Sequence, residues 1–500
     1  YGLLARIDKV AMDTQRYPHE YLSERLAYAG ILPMFGFPTQ VRLLYQEAPP
    51  NRLPPEREID RTLDLAISQF APGSQTVKDK KVLTAVGVVA YEWRQGRIVA
   101  VDGRGYQRRL GDCRCCGALA FRDHQPPPIQ CPVCQAGEKY RLLDTWEPRG
   151  FTVEPGAEED FDGDFEWTPR ATSARLGTES LPDFTPLPSR NIEYRQKEDD
   201  LLSLNSNEGT GFTFQKLTGH DIWVVPSHLQ NRWQSQVSAS SPAVEVGLAA
   251  GKHTDILILR LATVPHELAL DMAGPQPLYA RAAYYSWAYL LRKAACDFLD
   301  VEPTELDINL RPVLTAHGAI GEIVLFDSLE NGAGYCRYLR ENLEDALLRP
   351  LAPEGKLYEQ LLQDKHAQHC DASCYDCLRD YNNAELHPLL DWRLGLDLAR
   401  VALDHRATIT LQNYWQLPAQ RAATSLQRIM GPNTAMSMLE DTHILYAAGR
   451  IAAVLTHPLW LSQHPTLVGL TSHLGSPLPY CTLFDALRRP GWCESQLRLR

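Results

Sequence analysis

The apolar and polar positions of this chain change period several times. Residues 277–299, PLYARAAYYSWAYLLRKAACDFL, carry the clearest helical pattern. Ala280, Ala283, Tyr284, Trp287, Leu290, Leu291, Ala294, Ala295 and Phe298 fall on one wide face, and Pro277 stands at the start. Such a face predicts a core helix with Cys296 packed as a small hydrophobe. Residues 17–30 predict a shorter helix ended by Gly30, and residues 389–403, LLDWRLGLDLARVAL, another. Strands are predicted where Val41, Leu43 and Tyr45 alternate, after a turn at Pro33, Gly36 and Pro38, and where VLTAVGVVAYEW runs into GRIVAVD as a hairpin. FTFQKL, DIWVVP, TDILILRLA, AIGEIVLFD, HILYAAG and RIAAVLT add further strands.

This mixture predicts a multi-domain α/β (α+β) chain with an inserted zinc ribbon and a C-terminal cysteine-rich metal-binding module. The composition shifts divide it into residues 1–110, an N-terminal α/β region; 111–137, the ribbon; 138–210, acidic and proline-rich loops; 211–330, a β-rich region with the long helix; 331–405, the cysteine module; and 406–500, a last α/β region. The acidic run 153–166, VEPGAEEDFDGDFE, predicts an exposed loop and lacks the ligand spacing of a calcium loop.

The 500 residues carry 12 cysteines, 44% hydrophobic residues and a net charge of −11. That balance is globular and excludes a uniformly basic nucleic-acid coat, though not a local basic groove. The cysteines gather in clusters, as reduced metal-holding thiols of a cytoplasmic protein do. No apolar run is long enough to span a bilayer, so no membrane association is expected. The chain opens on Tyr1 in mid-pattern, and an upstream portion is expected to be missing.

Cys113 and Cys116 form one C-x2-C and Cys131 and Cys134 a second, the spacing of a zinc ribbon. Gly117 suits the left-handed backbone of such a knuckle, and Cys115 is the odd thiol out. The second cluster is Cys370, Cys374 and Cys377, flanked by His366, His369 and His387. Tetrahedral zinc needs a fourth ligand, for which Cys336 and His387 are the best candidates; His369 directly precedes Cys370, an awkward position for shared geometry. Two structural zinc ions are thus expected.

Arg104, Arg108, Arg109, Arg114 and Arg122 surround the ribbon, with Tyr106 and Phe121 interleaved. They read as a solvated arginine-rich face or as a phosphate-contacting surface with stacking partners. The glycines of NGAGYC, 331–336, suit a strand-to-helix turn whose helix N-terminus can receive an anion. No Walker A motif is present: GLAAGKHTD, 247–255, has the wrong glycine spacing and His253 where Ser or Thr belongs.

ERLAYAGILPMFGFPTQVRLLY, DLAISQFAPGSQTVKDK, FDSLENGAGYCRYL and CDASCYDCLRDYNNAELHPLLDW together resemble the helicase-associated domain that carries a C-terminal metal-binding module in MrfA-type helicases. Without motor motifs of its own, the chain is similar to the DrmB family of the bacterial anti-phage system DISARM. The resemblance implies a non-catalytic, DNA-binding accessory subunit docked on a superfamily 2 helicase of the DrmA type, with structural zinc and no catalytic residue. It also implies four cysteines at the C-terminal site, one of which is absent from the local run. Two other readings stay open: the C-terminal part of a single-chain helicase, and a nuclease with a divergent site in 406–500.

Overall fold

Hairpins show most directly how this sequence sets its elements. The computed structural model describes residues 2–13, 22, 25–26, 29, 31–32, 41–55, 58–121, 126–164, 172–179, 181–230, 232–237, 241–274, 276–315 and 318–498. Most of the helix expected at 17–30 and the turn at Pro33, Gly36 and Pro38 lie outside these residues. The chain divides into two units, one of Tyr1–Glu179, Glu198–Asp255 and Ser328–Ala333, the other of Ser180–Lys197, Ile256–Asp327 and Gly334–Arg500.

The first unit is a large sheet. Strand β1 (Lys81–Val88) pairs antiparallel with Gln75–Lys78 across Asp79 and Lys80, whose φ angles are 50° and 63°. Ala90–Arg94 pairs with Arg97–Val101 across Gln95 and Gly96, at 50° and 76°. Two consecutive left-handed residues give the turn whose twist matches that of the strands. Strands β2 (Tyr106–Cys113) and β3 (Tyr140–Glu147) form a long antiparallel ladder from Tyr106 opposite Glu147 to Cys113 opposite Tyr140. Leu110, Leu143, Leu202 and Leu204 bury one side of it, and Phe70, Trp146, Phe151, Phe212 and Phe214 form the main core. Much of the acidic stretch is exposed, as expected, but Glu154 is buried. Its carboxylate accepts the N–H groups of Gln230 (2.7 Å) and Trp233 (3.0 Å), so this carboxylate anchors a neighbouring turn.

The second unit is built on helix α1 (Pro277–Leu299), with the bounds predicted. Its apolar face and Cys296 are buried, but Phe298 stays 38% exposed, its ring 6.2 Å from that of Tyr338. Strands β4 (Leu306–Thr315) and β5 (Gly318–Asp327) form a hairpin, and residues 256–259 continue the sheet beside β5. After α2 (Tyr335–Glu341) and the cysteine-rich loop comes α3 (Trp392–Leu403), which crosses α1 at Gly395. A Cβ there would lie 2.9 Å from the Ser286 backbone, so glycine permits the close approach. Helix α4 (Gln416–Met430) precedes a four-stranded sheet of β6 (Thr434–Leu439), β7 (Thr442–Ala447), β8 (Arg450–Thr456) and β9 (Tyr480–Thr482). β6 was not predicted because its exposed Met436 and Met438 break the usual polar-outside alternation.

Candidate metal centres

The ribbon grows from the end of the β2–β3 ladder. Cys113 closes β2, and the Gly117 N–H returns to the Cys113 carbonyl (2.9 Å) with Gly117 at φ 83°. The Gln135 N–H makes the same return to the Cys131 carbonyl (3.1 Å), at φ 56°. The two knuckles bring Cys113 Sγ within 3.5 Å of Cys134 Sγ, and Cys116 Sγ within 3.5 Å of Cys131 Sγ. The four sulfurs all lie within 4.8 Å of one another, and Cys115 stands outside the group. A zinc tetrahedron with ~2.3 Å arms has edges of about 3.8 Å, so the donor set fits that ion.

The C-terminal centre forms on an irregular loop. Cys377 Sγ lies 3.9 Å from Cys370 Sγ and 3.6 Å from Cys374 Sγ. The fourth member is His366, within 4.8 Å of the sulfurs. Its Nδ1 meets the Leu361 carbonyl at 2.9 Å, which fixes the proton there and leaves Nε2, buried and without a hydrogen bond, for a metal. The two fourth-ligand candidates from spacing sit elsewhere. Cys336 Sγ is directed to the Leu325 carbonyl (3.5 Å), because Cys336 lies on α2 against β5. His387 Nε2 is engaged by the Asp380 carbonyl (3.1 Å) and Asn383 Oδ1 (2.8 Å). Helical spacing could have indicated His366: it stands four residues before Cys370, and the chain from 364 to 367 is helical.

Crowded thiols oppose one another's ionisation. A hydrogen bond from the Cys370 thiol pulls Cys377 down to about 4, while the same Cys377 contact and burial push Cys370 up. A divalent cation relieves that opposition by drawing the sulfurs into the thiolate form.

The arginines around the ribbon divide. Arg104 pairs with Asp102 (2.7 Å) and lies over the Trp223 ring; Arg108 is largely buried in a 2.6 Å pair with Glu147. Tyr106 and Phe121 stack on Arg108, so neither ring is an open platform for a base. Arg109 is exposed, 3.7 Å from Asp144, and exposed Arg114 donates to the Glu208 carbonyl (2.8 Å). Arg122 lies outside the described residues.

The expected anion site at the glycine-rich turn is already filled. Buried Asp327 accepts the N–H groups of Gly334 (2.8 Å), Tyr335 (3.1 Å) and Cys336 (3.0 Å), so the chain's own carboxylate occupies the place of an external anion. GLAAGKHTD lies within the strand Val244–Leu261, which is no phosphate-binding loop.

One constellation gave no sequence signal. Asp397 accepts from Tyr414 Oη (2.6 Å), Trp415 Nε1 (2.9 Å) and His457 Nε2 (2.9 Å), while His457 Nδ1 accepts from the Leu459 N–H (3.1 Å). Asp397 and His457 are fully buried and fully partnered, so they staple α3 to the C-terminal region and offer no acid–base pair to a substrate. Among the described residues, the groups of three or more metal-capable side chains are the two cysteine-rich ones. No carboxylate cluster of the kind a two-metal nuclease uses is gathered there.

The fold and these centres define a mixed α/β protein with two cysteine-rich metal sites. Residues 287–378 match the family model described as the MrfA Zn-binding domain, a stretch that contains His366, Cys370, Cys374 and Cys377. Over 426 residues, 79% of the chain, the sequence is 25% identical to the Druantia protein DruE of Escherichia coli (strain UMEA 4076-1). The chain spans 22% of that protein's length. The crystal structure of the DUF1998 helicase MrfA bound to DNA aligns with 69% of this chain and 32% of its own, at 11% identity and a TM-score of 0.30. No helix among the described residues is long and apolar enough to cross a membrane.

Proposed function

We propose that the chain is a zinc-stabilised, non-catalytic, DNA-binding accessory region for a superfamily 2 helicase in bacterial anti-phage defence, in the manner of DrmB beside DrmA. The observation that carries this reading is the coincidence of the MrfA Zn-binding match at 287–378 with the three cysteines and one histidine gathered at 366–377. Two points support a non-catalytic role: the sequence lacks a Walker A motif, and the buried Asp397–His457 pair is saturated by structural bonds. Zinc at Cys113, Cys116, Cys131 and Cys134, and at His366, Cys370, Cys374 and Cys377, holds small modules in shape. Among the described arginines expected to meet phosphate, Arg109 and Arg114 are the exposed ones, and they are the DNA contacts of this reading.

A second reading is favoured by the DruE alignment, in which this chain matches about a fifth of a much longer polypeptide. In that reading a motor and this region belong to one polypeptide. Co-purification of the full-length native protein, followed by ATPase assays with and without DNA, separates the two. An inert protein that binds a separate helicase and alters its DNA-stimulated hydrolysis supports the accessory subunit. A longer polypeptide that hydrolyses ATP alone establishes the single chain, and an inert protein without a helicase partner overturns both.

A further inference from the structure

The metal-family match ends at residue 378, but the loop it contains is held from beyond that point. Three successive carbonyls of the loop, those of Cys370, Asp371 and Ala372, are taken up by the first residues of α3. The Trp392 N–H donates to the Ala372 carbonyl (3.0 Å) and Trp392 Nε1 to that of Cys370 (3.4 Å). Arg393 donates through Nη2 to the Cys370 carbonyl (3.2 Å) and through Nη1 to that of Asp371 (2.7 Å). The Trp392 ring meets the His366 imidazole edge-on at 5.4 Å.

Arg393 is 1% exposed, an expensive place for a charge. Its Nε donates to the Tyr414 carbonyl (3.2 Å), and its guanidinium lies over the Trp392 ring. Its carboxylate neighbour, Asp391 (3.4 Å), is shared with Arg488. Three thiolates and a neutral imidazole around a divalent cation leave one net negative charge. A buried cation bonded to the carbonyl of a ligand residue offsets that charge and fixes the ligand's backbone at once.

We propose that the start of α3 is the brace of the C-terminal metal centre, with Arg393 as its positioning residue, so that the functional module extends past its family boundary to residue 393. Arg421, on α4, adds a weaker exposed tie to Asp371 Oδ1 (3.0 Å) and the Gln368 carbonyl (3.1 Å). The proposal rests on zinc binding at His366, Cys370, Cys374 and Cys377.

The test is zinc release from the intact protein to a chromogenic chelator, with the ribbon zinc as an internal control. Arg393→Met is expected to release the C-terminal zinc about 10- to 100-fold faster than wild type. Arg393→Lys, which keeps the charge and loses the fork, is expected to fall between them, with ribbon release unchanged in both. Because Arg393→Met can fail to fold, the exposed Arg421→Gln is measured beside it; a speed-up of about threefold is expected, below the range for a buried supporting contact. Wild-type release rates in folded Arg393→Lys and Arg421→Gln would overturn the brace and leave the metal site standing. A wild-type protein that holds zinc only in the ribbon would overturn the site and the brace together.

Discussion

The two metal centres reach similar donor crowding by opposite routes. In the ribbon each pair of cysteines sits on its own knuckle, closed by a backbone bond from Gly117 or Gln135, at the end of a regular ladder. At the C-terminal centre the loop has no ladder, and its carbonyls are held by Trp392, Arg393 and Arg421, 20 to 53 residues further on. A centre whose turns make their own geometry is written in local spacing. One that borrows its geometry from distant side chains is not.

The sharpest way to break the comparison is to remove a ligand from each. Cys131→Ser is expected to lower zinc from two ions per chain to one and loosen the ribbon end of the β2–β3 ladder, leaving residues 366–403 protected. Cys377→Ser is expected to do the reverse. Structural zinc supplies about 10–16 kcal/mol of apparent binding energy in small modules, so each effect is large; metal analysis with hydrogen exchange reads both. Asp397→Ala probes a staple that needs no metal. It leaves His457 buried without its carboxylate and is expected to cost about 3–5 kcal/mol in urea unfolding with both zinc ions retained.

The identity of the fourth ligand sharpens the contrast further. His366→Ala is expected to weaken C-terminal zinc at least about tenfold by competition titration, whereas Cys336→Ser and His387→Gln should leave zinc content unchanged. A smaller effect comes from His464, which accepts the Thr466 N–H at the start of the helix Pro465–Leu474. Burial, and after it the neighbouring His457, push its pKa down to about 4. The unfolded chain therefore binds a proton near pH 6.5 that the folded chain refuses, and stability falls as pH drops from there toward 4. His464→Asn, which keeps a capping side chain, should remove about 1–2 kcal/mol of that slope down to about pH 5, read as urea midpoints with excess zinc. Smallest of all, Arg109→Ala with Arg114→Ala is expected to weaken DNA binding at low salt a few-fold and to reduce the salt slope by about one unit per lost phosphate contact.

Much of the fold was legible where one period dominates. Helix α1 and strand β5 match their apolar patterns because burial of a continuous face leaves few other arrangements. Turns were less legible. Asp79–Lys80 and Glu440–Asp441 adopt left-handed pairs without a glycine, held there by the flanking ladders and by bonds from Phe161 and Gln412. The role of Asp327 was hidden for a similar reason: a strand-end carboxylate and a glycine turn look independent until the chain folds one onto the other.

The sequence by itself determined the ribbon spacing, the three-cysteine run and the apolar faces, because each rests on residues close together in the chain. Only tertiary structure decided that Cys336 points to a backbone carbonyl, that His387 is engaged away from the metal centre, that Arg108 is spent on Glu147, and that Arg393 holds the metal loop. Each of those outcomes depends on which donor reaches which acceptor across folded elements, and the order of residues along a chain does not contain that distance.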